Sequence, residues 1–158
     1  MTKKAEIGQR VAVEIKADSP QFIPMYKSKG AAAADLIANI PENEIGVRSV
    51  TLTPGSVVTI DAGFCMALPE GWEAQIRARS GLAQKGIQVT NSPGTIDSDY
   101  RGRIAVILNN AGHEIVKINH GDRFAQMLLK PVYFFAWSMV SELHETERGS
   151  GGFGSTGA

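Results

Sequence analysis

Arg77-Ala78-Arg79-Ser80-Gly81 gathers two guanidinium groups, a hydroxyl and an unhindered backbone amide. In an extended strand side chains alternate, so Gln75, Arg77 and Arg79 share one face. Arginine followed by a hydroxyl and a glycine amide can cradle phosphate oxygens. A solvated basic edge strand explains the same residues, and taken alone it is the simpler reading. Further on, Gly94-Thr95-Ile96-Asp97-Ser98-Asp99-Tyr100-Arg101-Gly102 follows the turn residues Asn91-Ser92-Pro93 and reads as a hairpin with two carboxylates. A carboxylate beside a phosphate can orient water and take its proton. Turn aspartates that bond their own backbone explain the segment equally well. A calcium loop does not, because the acidic spacing and closing Glu of an EF-hand are absent.

Two weaker constellations follow. Gly121-Asp122-Arg123-Phe124-Ala125-Gln126 is a turn feeding a strand, with Arg123 and Gln126 just ahead of the apolar Met127-Leu128-Leu129. Gly-Asp before a strand is ordinarily only a turn, although Gln126 could meet a ligand. The C-terminus reads Arg148-Gly-Ser-Gly-Gly-Phe-Gly-Ser-Thr-Gly-Ala. Its glycines lack the Gly-Lys-[Ser/Thr] of a phosphate loop, and a flexible linker is the ordinary reading. One arginine and one aromatic among glycines also suit a lid, with Phe153 stacked on a base and Arg148 on a phosphate.

The elements that must hold these groups are short and β-like. Runs rich in Val, Ile and Thr at 11–15, 47–52, 57–60, 64–68, 103–108, 114–118 and 124–129 each end at Gly, Pro, Asn or Asp. That spacing predicts an all-β sandwich or barrel. Residues 80–84 have room for one helical turn. Ala31-Ala32-Ala33-Ala34 favours a helix by propensity. Gly30 before it and Pro41 soon after argue instead for small residues at a close backbone approach.

Composition narrows the partners. Sixteen Lys+Arg balance sixteen Asp+Glu in 158 residues, so no basic field points to nucleic acid or an anionic membrane. Hydrophobic and charged fractions of 43% and 20% are those of an ordinary globular domain. The single cysteine, Cys65, lies in an apolar run and reads as a buried small hydrophobe rather than a nucleophile. His113, His120 and His144 have no metal-ligand spacing and are assigned no role. Neither a signal peptide nor a membrane span is indicated, which points to a cytoplasmic protein. Residues 1–147 read as one β domain and 148–158 as a flexible lid, disordered when alone.

Taken together and in this order, the segments resemble the five motifs of the trimeric dUTPase family, from roughly residue 20 to the C-terminus. Ala31 to Ala38, with Asp35, resembles motif one and Arg79-Ser80-Gly81-Leu82 motif two. Asn91 to Gly102 is similar to motif three, Gly121 to Leu129 to motif four, and Arg148 to Gly157 to motif five. Ala33 stands where motif one usually has Gly, Ala78 where Pro is frequent, and residues 41–49 read as a lengthened surface loop.

The resemblance implies a jelly-roll-like β fold and a homotrimer whose sites are shared. One subunit would give motifs one, two and four, a second the hairpin, and a third the tail. It implies cleavage of dUTP to dUMP and pyrophosphate, which limits uracil in DNA and supplies dUMP. Asp97 is then the base for the water that attacks the α-phosphorus, and Asp99 a structural partner in the hairpin. Asn91, Gly94 and the backbone of Thr95, Ile96 and Ala105 would read uracil, and Tyr100 would sit under the deoxyribose. Arg79, Ser80, Gly81 and Gln126 would hold the phosphates. Arg148, Phe153, Gly154, Ser155 and Thr156 would close the site. Mg²⁺ would be held by the triphosphate and reach Asp35 through water. A related deaminase family shares the fold, but Asp97-Ser98-Asp99-Tyr100 carries the hydrolase pattern. A nucleotide-sensing module without turnover is disfavoured by the intact Asp97, Arg148 and Phe153.

Overall fold

A computed structural model describes residues 10–152. Their regular structure is almost all β: β1 (Glu14–Ala17), β2 (Ala34–Ile37), β3 (Ser49–Leu52), β4 (Val57–Asp61), β5 (Phe64–Ala67), β6 (Trp72–Arg77), β7 (Ile87–Val89), β8 (Gly94–Ile96), β9 (Ala105–Asn110), β10 (Val116–Asn119) and β11 (Arg123–Pro131). A four-residue helix, α1 (Ser80–Ala83), and a 3₁₀ turn at Pro20–Phe22 complete the described elements. The strands are antiparallel and form a sheet ordered β2-β11-β6-β8, a second ordered β4-β9-β7, and the pairs β1-β5 and β3-β10. This is the jelly-roll-like architecture expected.

Alternation decides which side chains go inside. In β9, Val106 and Leu108 are buried while Ala105 and Ile107 face out, and in β10 Val116 and Ile118 are buried while Lys117 is exposed. Leu36, Leu52, Ile60, Phe64, Ile76 and Phe124 join them in one core. Each buried side chain of this size contributes about 1.5–3 kcal/mol. Asn110 is the one buried polar side chain among the described residues, and it is fully bonded. Its Nδ2 donates to Leu52 O and Glu114 O, and its Oδ1 accepts from the Gly112 N–H. That arrangement removes the penalty an unpaired amide would carry.

The alanine quartet forms no helix. Ala34 opens β2 as a buried residue and Ala32 is exposed, while the backbone bridge to Met25 is made by the next residue, Asp35. Strand β1 starts at Glu14 rather than at Val11, because its ladder with β5 ends at Glu14↔Ala67. Pro69, two residues beyond Ala67, has no N–H to extend it. Gly63 sits at φ +81° with the Phe22 ring where a Cβ would be, so the turn between β4 and β5 needs glycine. Beyond β11 the chain leaves the sheet, and Trp137 and Met139 are 84% and 99% exposed. Among the described residues no helix is long and apolar enough to cross a membrane.

Candidate active site

The central sheet aligns three of the polar residues. Gln126 on β11 lies opposite Asp35 on β2 and opposite Arg77 on β6, so the three share one face. A register shift between Arg123 and Ala125 then interrupts the alternation. Through that irregularity Arg123 reaches the same carboxylate, with Nη1 3.0 Å from Asp35 Oδ2. Arg79 Nε donates to Asp35 Oδ1 at 3.0 Å, and Arg79 Nη1 to the Arg123 carbonyl at 2.9 Å. Gln126 Nε2 donates to the Ala78 carbonyl at 2.8 Å and steadies the turn that carries Arg79 and Ser80. Two guanidinium groups on one carboxylate leave a net positive charge, held in place before any ligand arrives.

A cleft of about 380 Å³ opens beside this group, lined by Arg79, Gly81, Lys85, Lys117, Asp122 and Arg123. Ser80 and Gly81 start α1 at its rim, and a Cβ on Gly81 would meet nothing within 4 Å. Three or more carboxylate, imidazole or thiol groups converge nowhere among the described residues. A dication at the cradle would therefore take most of its oxygens from a bound phosphate chain and water, which is the habit of Mg²⁺.

The hairpin is built by backbone contacts. β8 pairs with β6 through Gly94↔Ile76, Thr95↔Gln75 and Ile96↔Ala74, and the peptide before Pro93 is cis. Gly94 is buried, with Ile76 and the Asn91 amide around its missing side chain. The Tyr100 N–H donates to the Asp97 carbonyl at 3.2 Å, and Arg101 Nη1 donates to the carbonyls of Ser98 and Tyr100. The Asp97 carboxylate is left exposed at a cleft shared with Trp72, Glu73 and Asp99. Asp99, expected to brace the hairpin, makes no side-chain hydrogen bond among the described residues, and Arg101 does the bracing instead. Ala105, exposed, opens β9 opposite Asp61.

These two halves do not meet within one chain. Ile96 pairs with Ala74, which puts Asp97 level with Glu73, whereas Arg79 lies past the other end of β6. At a rise of about 3.3 Å per residue the two are roughly 20 Å apart. Arg148 Nε donates within its own loop, to Gly151 O at 3.0 Å. Phe153, Gly154, Ser155 and Thr156 lie outside the described residues.

Two residues emerge that sequence reasoning left without a role. Arg123 was visible only as a polar strand position, since a three-residue step to Gln126 does not suggest a shared face until the register shift is known. His120 Nδ1 faces two donors, the Ile40 N–H at 3.2 Å and Arg48 Nη2 at 2.8 Å. Burial first, then the charge of Arg48, pushes its pKa down. The turn it anchors is tied to β2 by Gly121 N–H to Ala38 O and Ala38 N–H to Asp122 O, both 2.9 Å. No sequence spacing announces a contact between residues 80 positions apart.

The family model for dUTPase matches residues 20–157. The chain is 50% identical over 142 residues to the deoxyuridine 5′-triphosphate nucleotidohydrolase of Roseobacter denitrificans, covering 89% of this chain and 90% of that one. To the protein of the same name from Desulfotalea psychrophila it is 49% identical over 158 residues, 99% of each. Among solved structures, a dUTPase of Staphylococcus bacteriophage 80alpha with dUpNHpp superposes with a TM-score of 0.78 at 22% identity, covering 93% of this chain and 99% of that one. A dUTPase from phage phi11 of S. aureus, described with a structural Mg(II) ion, gives 0.70 at 19% identity, covering 83% and 97%. These two likenesses carry the fold.

Proposed function

The chain belongs to the dUTPase family, and from that premise we propose how its residues divide the hydrolysis of dUTP to dUMP and pyrophosphate. The observation that carries the assignment is the charged cradle. Arg79 and Arg123 are fixed on Asp35, with Ser80, Gly81 and Gln126 beside them, and together they suit a triphosphate. Asp97 takes a proton from water as the water oxygen attacks the α-phosphorus. The bond from that phosphorus to the bridging oxygen breaks, and pyrophosphate leaves with the electron pair. Arg148 meets the γ-phosphate, and Phe153, Gly154, Ser155 and Thr156 close over the nucleotide. Asp35 is the residue that would hold Mg²⁺, through water, and the ion when bound would neutralise phosphate charge and orient the chain of phosphates.

Uracil is read at the hairpin by Asn91 and by the backbone of Thr95, Ile96 and Ala105. A site built to hydrogen-bond one base edge rejects cytosine strongly, and lack of space excludes the thymine methyl. Tyr100 sits under the deoxyribose.

The groups that hold the phosphates and the base that serves the α-phosphorus act on atoms only a few bonds apart. Within one subunit they are roughly 20 Å apart, which supports a hairpin supplied by a second subunit. A homotrimer meets that need. The extended arm after β11, with Tyr133, Phe135, Trp137 and Met139 exposed, is apolar surface suited to burial against a neighbour. The enzyme acts in the cytoplasm as a single β domain over residues 1–147 with a motif-five lid over 148–158.

Product analysis with dUTP, dTTP, dCTP and UTP, each with and without Mg²⁺, tests this reading. Pyrophosphate and dUMP from dUTP alone are expected, with turnover lost on chelation. Ammonia from dCTP would move the chain to the deaminase reaction, and tight dUTP binding without product would make it a sensor.

A further inference from the structure

Arg103 directly follows the hairpin, and two carboxylates from distant parts of the chain grip it. Its Nη1 and Nη2 donate to Asp18 Oδ1 and Oδ2 at 2.7 and 2.6 Å, a bidentate pair. Its Nε donates to Asp61 Oδ2 at 3.1 Å, and Nη2 also meets that oxygen. The carboxylates are themselves held. Asn39 Nδ2 donates to Asp18 Oδ2 at 3.0 Å, and the Gly63 N–H to Asp61 Oδ1 at 2.7 Å. Hydrogen bonds from Arg103 hold the Asp18 carboxyl below its usual range, and both carboxylates raise the pKa of the guanidinium.

The backbone of Arg103 has a second task. Its carbonyl accepts the Tyr100 hydroxyl at 3.0 Å. The same peptide unit donates the Ile104 N–H to Phe64 O at 2.9 Å, and Ile104 is fully buried. One side of the peptide is thus fixed to the sheet, and the side chain at its start is fixed by the carboxylates. Between the two residues lies Gly102, where any Cβ would fall onto the Tyr100 hydroxyl. The tyrosine ring is closely seated, yet 44% of the residue is exposed and open to a ligand.

We propose that Arg103 is a positioning residue for sugar discrimination: its clamp fixes the carbonyl that holds the Tyr100 hydroxyl, and so fixes the wall that excludes a ribose 2′-hydroxyl. The inference rests on the reading of Tyr100 as the residue beneath the deoxyribose. Rejecting one added hydroxyl by shape alone is worth only about 10²-fold. That discrimination depends on a wall that does not yield, and a hydroxyl bonded to a fixed peptide cannot swing aside. With Arg103 and Asp18 both more than 40% exposed, the clamp adds little to global stability. Its value lies in the geometry that a planar fork imposes and a lysine cannot match.

The test measures kcat/KM for dUTP and for UTP on the full chain carrying R103Q, R103K, Y100F or Y100A. R103Q should lower the preference for dUTP about tenfold, mainly by improving UTP, with kcat for dUTP held within about twofold. Y100F, which keeps the ring and removes the donor, should shift the preference in the same direction, and R103K should recover only part of it. D18N removes half of the bidentate pair and must shift the ratio in the same direction, which covers the case of a poorly folding R103Q. An unchanged ratio in R103Q and D18N beside a collapsed one in Y100A overturns the clamp and leaves Tyr100 as the sugar wall. An unchanged ratio in Y100A overturns the sugar reading itself. An equal loss on both nucleotides in R103Q marks a merely structural residue and also overturns the proposal.

Discussion

Arg79 and Asp97 stand toward opposite ends of β6, the first held on Asp35 and the second carried by the β8 hairpin. In the proposed mechanism they serve one substrate from two different subunits. The consequence is tested by mixing inactive chains. D97N keeps the shape of the carboxylate and removes its basicity, so kcat should fall by about 10²–10⁴-fold while a non-hydrolysable dUTP analogue still binds. A chain truncated before Arg148 lacks the lid but retains Asp97. Co-assembled trimers of the two should regain activity that neither homotrimer has. Mixtures with no more activity than the sum of their parts would place each site within one chain.

Asp35 has two duties that can be separated. Its carboxylate is 13% exposed and takes one hydrogen bond from each of Arg79 and Arg123. In D35N both guanidinium groups lose their counter-charge, and unfolding free energy should drop by about 1–2 kcal/mol, between the values for exposed and buried pairs. If Asp35 also holds water on Mg²⁺, half-maximal activity should need about tenfold more Mg²⁺. Titrating Mg²⁺ at saturating dUTP decides the matter. Lost stability with an unmoved Mg²⁺ curve would confine Asp35 to organising the arginines.

His120 gives the fold a pH dependence of known sign. Burial of the ring, and then the charge of Arg48 beside Nδ1, hold its folded pKa below the unfolded value of about 6.5. A depressed folded pKa means that the unfolded chain binds the proton first. The stabilisation is complete above the unfolded pKa and is lost as pH falls through the folded one. Urea unfolding at about pH 7.5 and about pH 5.5 should show the decline. H120N keeps an acceptor but does not titrate, so it should flatten that part of the slope. A slope unchanged in H120N would assign the decline to other groups.

The readable parts of this molecule were those whose information is local. Val57–Ile60 and Phe64–Leu68 showed as strands because β-branched and apolar residues ran between turn formers, and the structure moves their ends by one residue at most. Arg79, Gln126 and Asp35 were legible as motif members, although their meeting at one point depends on the order β2-β11-β6, which periodicity does not encode. The three-residue strands β7 and β8 are too short for a pattern to declare itself. The Arg103–Asp18 clamp spans 85 positions between surface residues that look, in sequence, like any solvated charges.

The tail is where composition and chemistry pull apart. Glycine-rich chain loses much backbone entropy on ordering and buries little in return. Yet the site proposed above needs Arg148 at the γ-phosphate and Phe153 over the uracil. In the described part of the tail Arg148 Nε is bonded to Gly151 O, and the Gly149 N–H to Thr146 O, so the arginine must leave a small local turn to act. That rearrangement and the ordering of the glycines offset part of the binding energy of the closed complex. The lid should therefore favour the transition state more than the ground state. Truncation before Arg148 should cut kcat by about 10²–10³-fold, the scale of losing one preorganised charge contact, with KM changed much less. Phe153→Trp places a reporter at the point of closure, and its emission should shift when a non-hydrolysable dUTP analogue and Mg²⁺ are added together. Truncated enzyme with unchanged kcat would reduce the segment to a linker, and a tryptophan blind to nucleotide would separate Phe153 from the closing step.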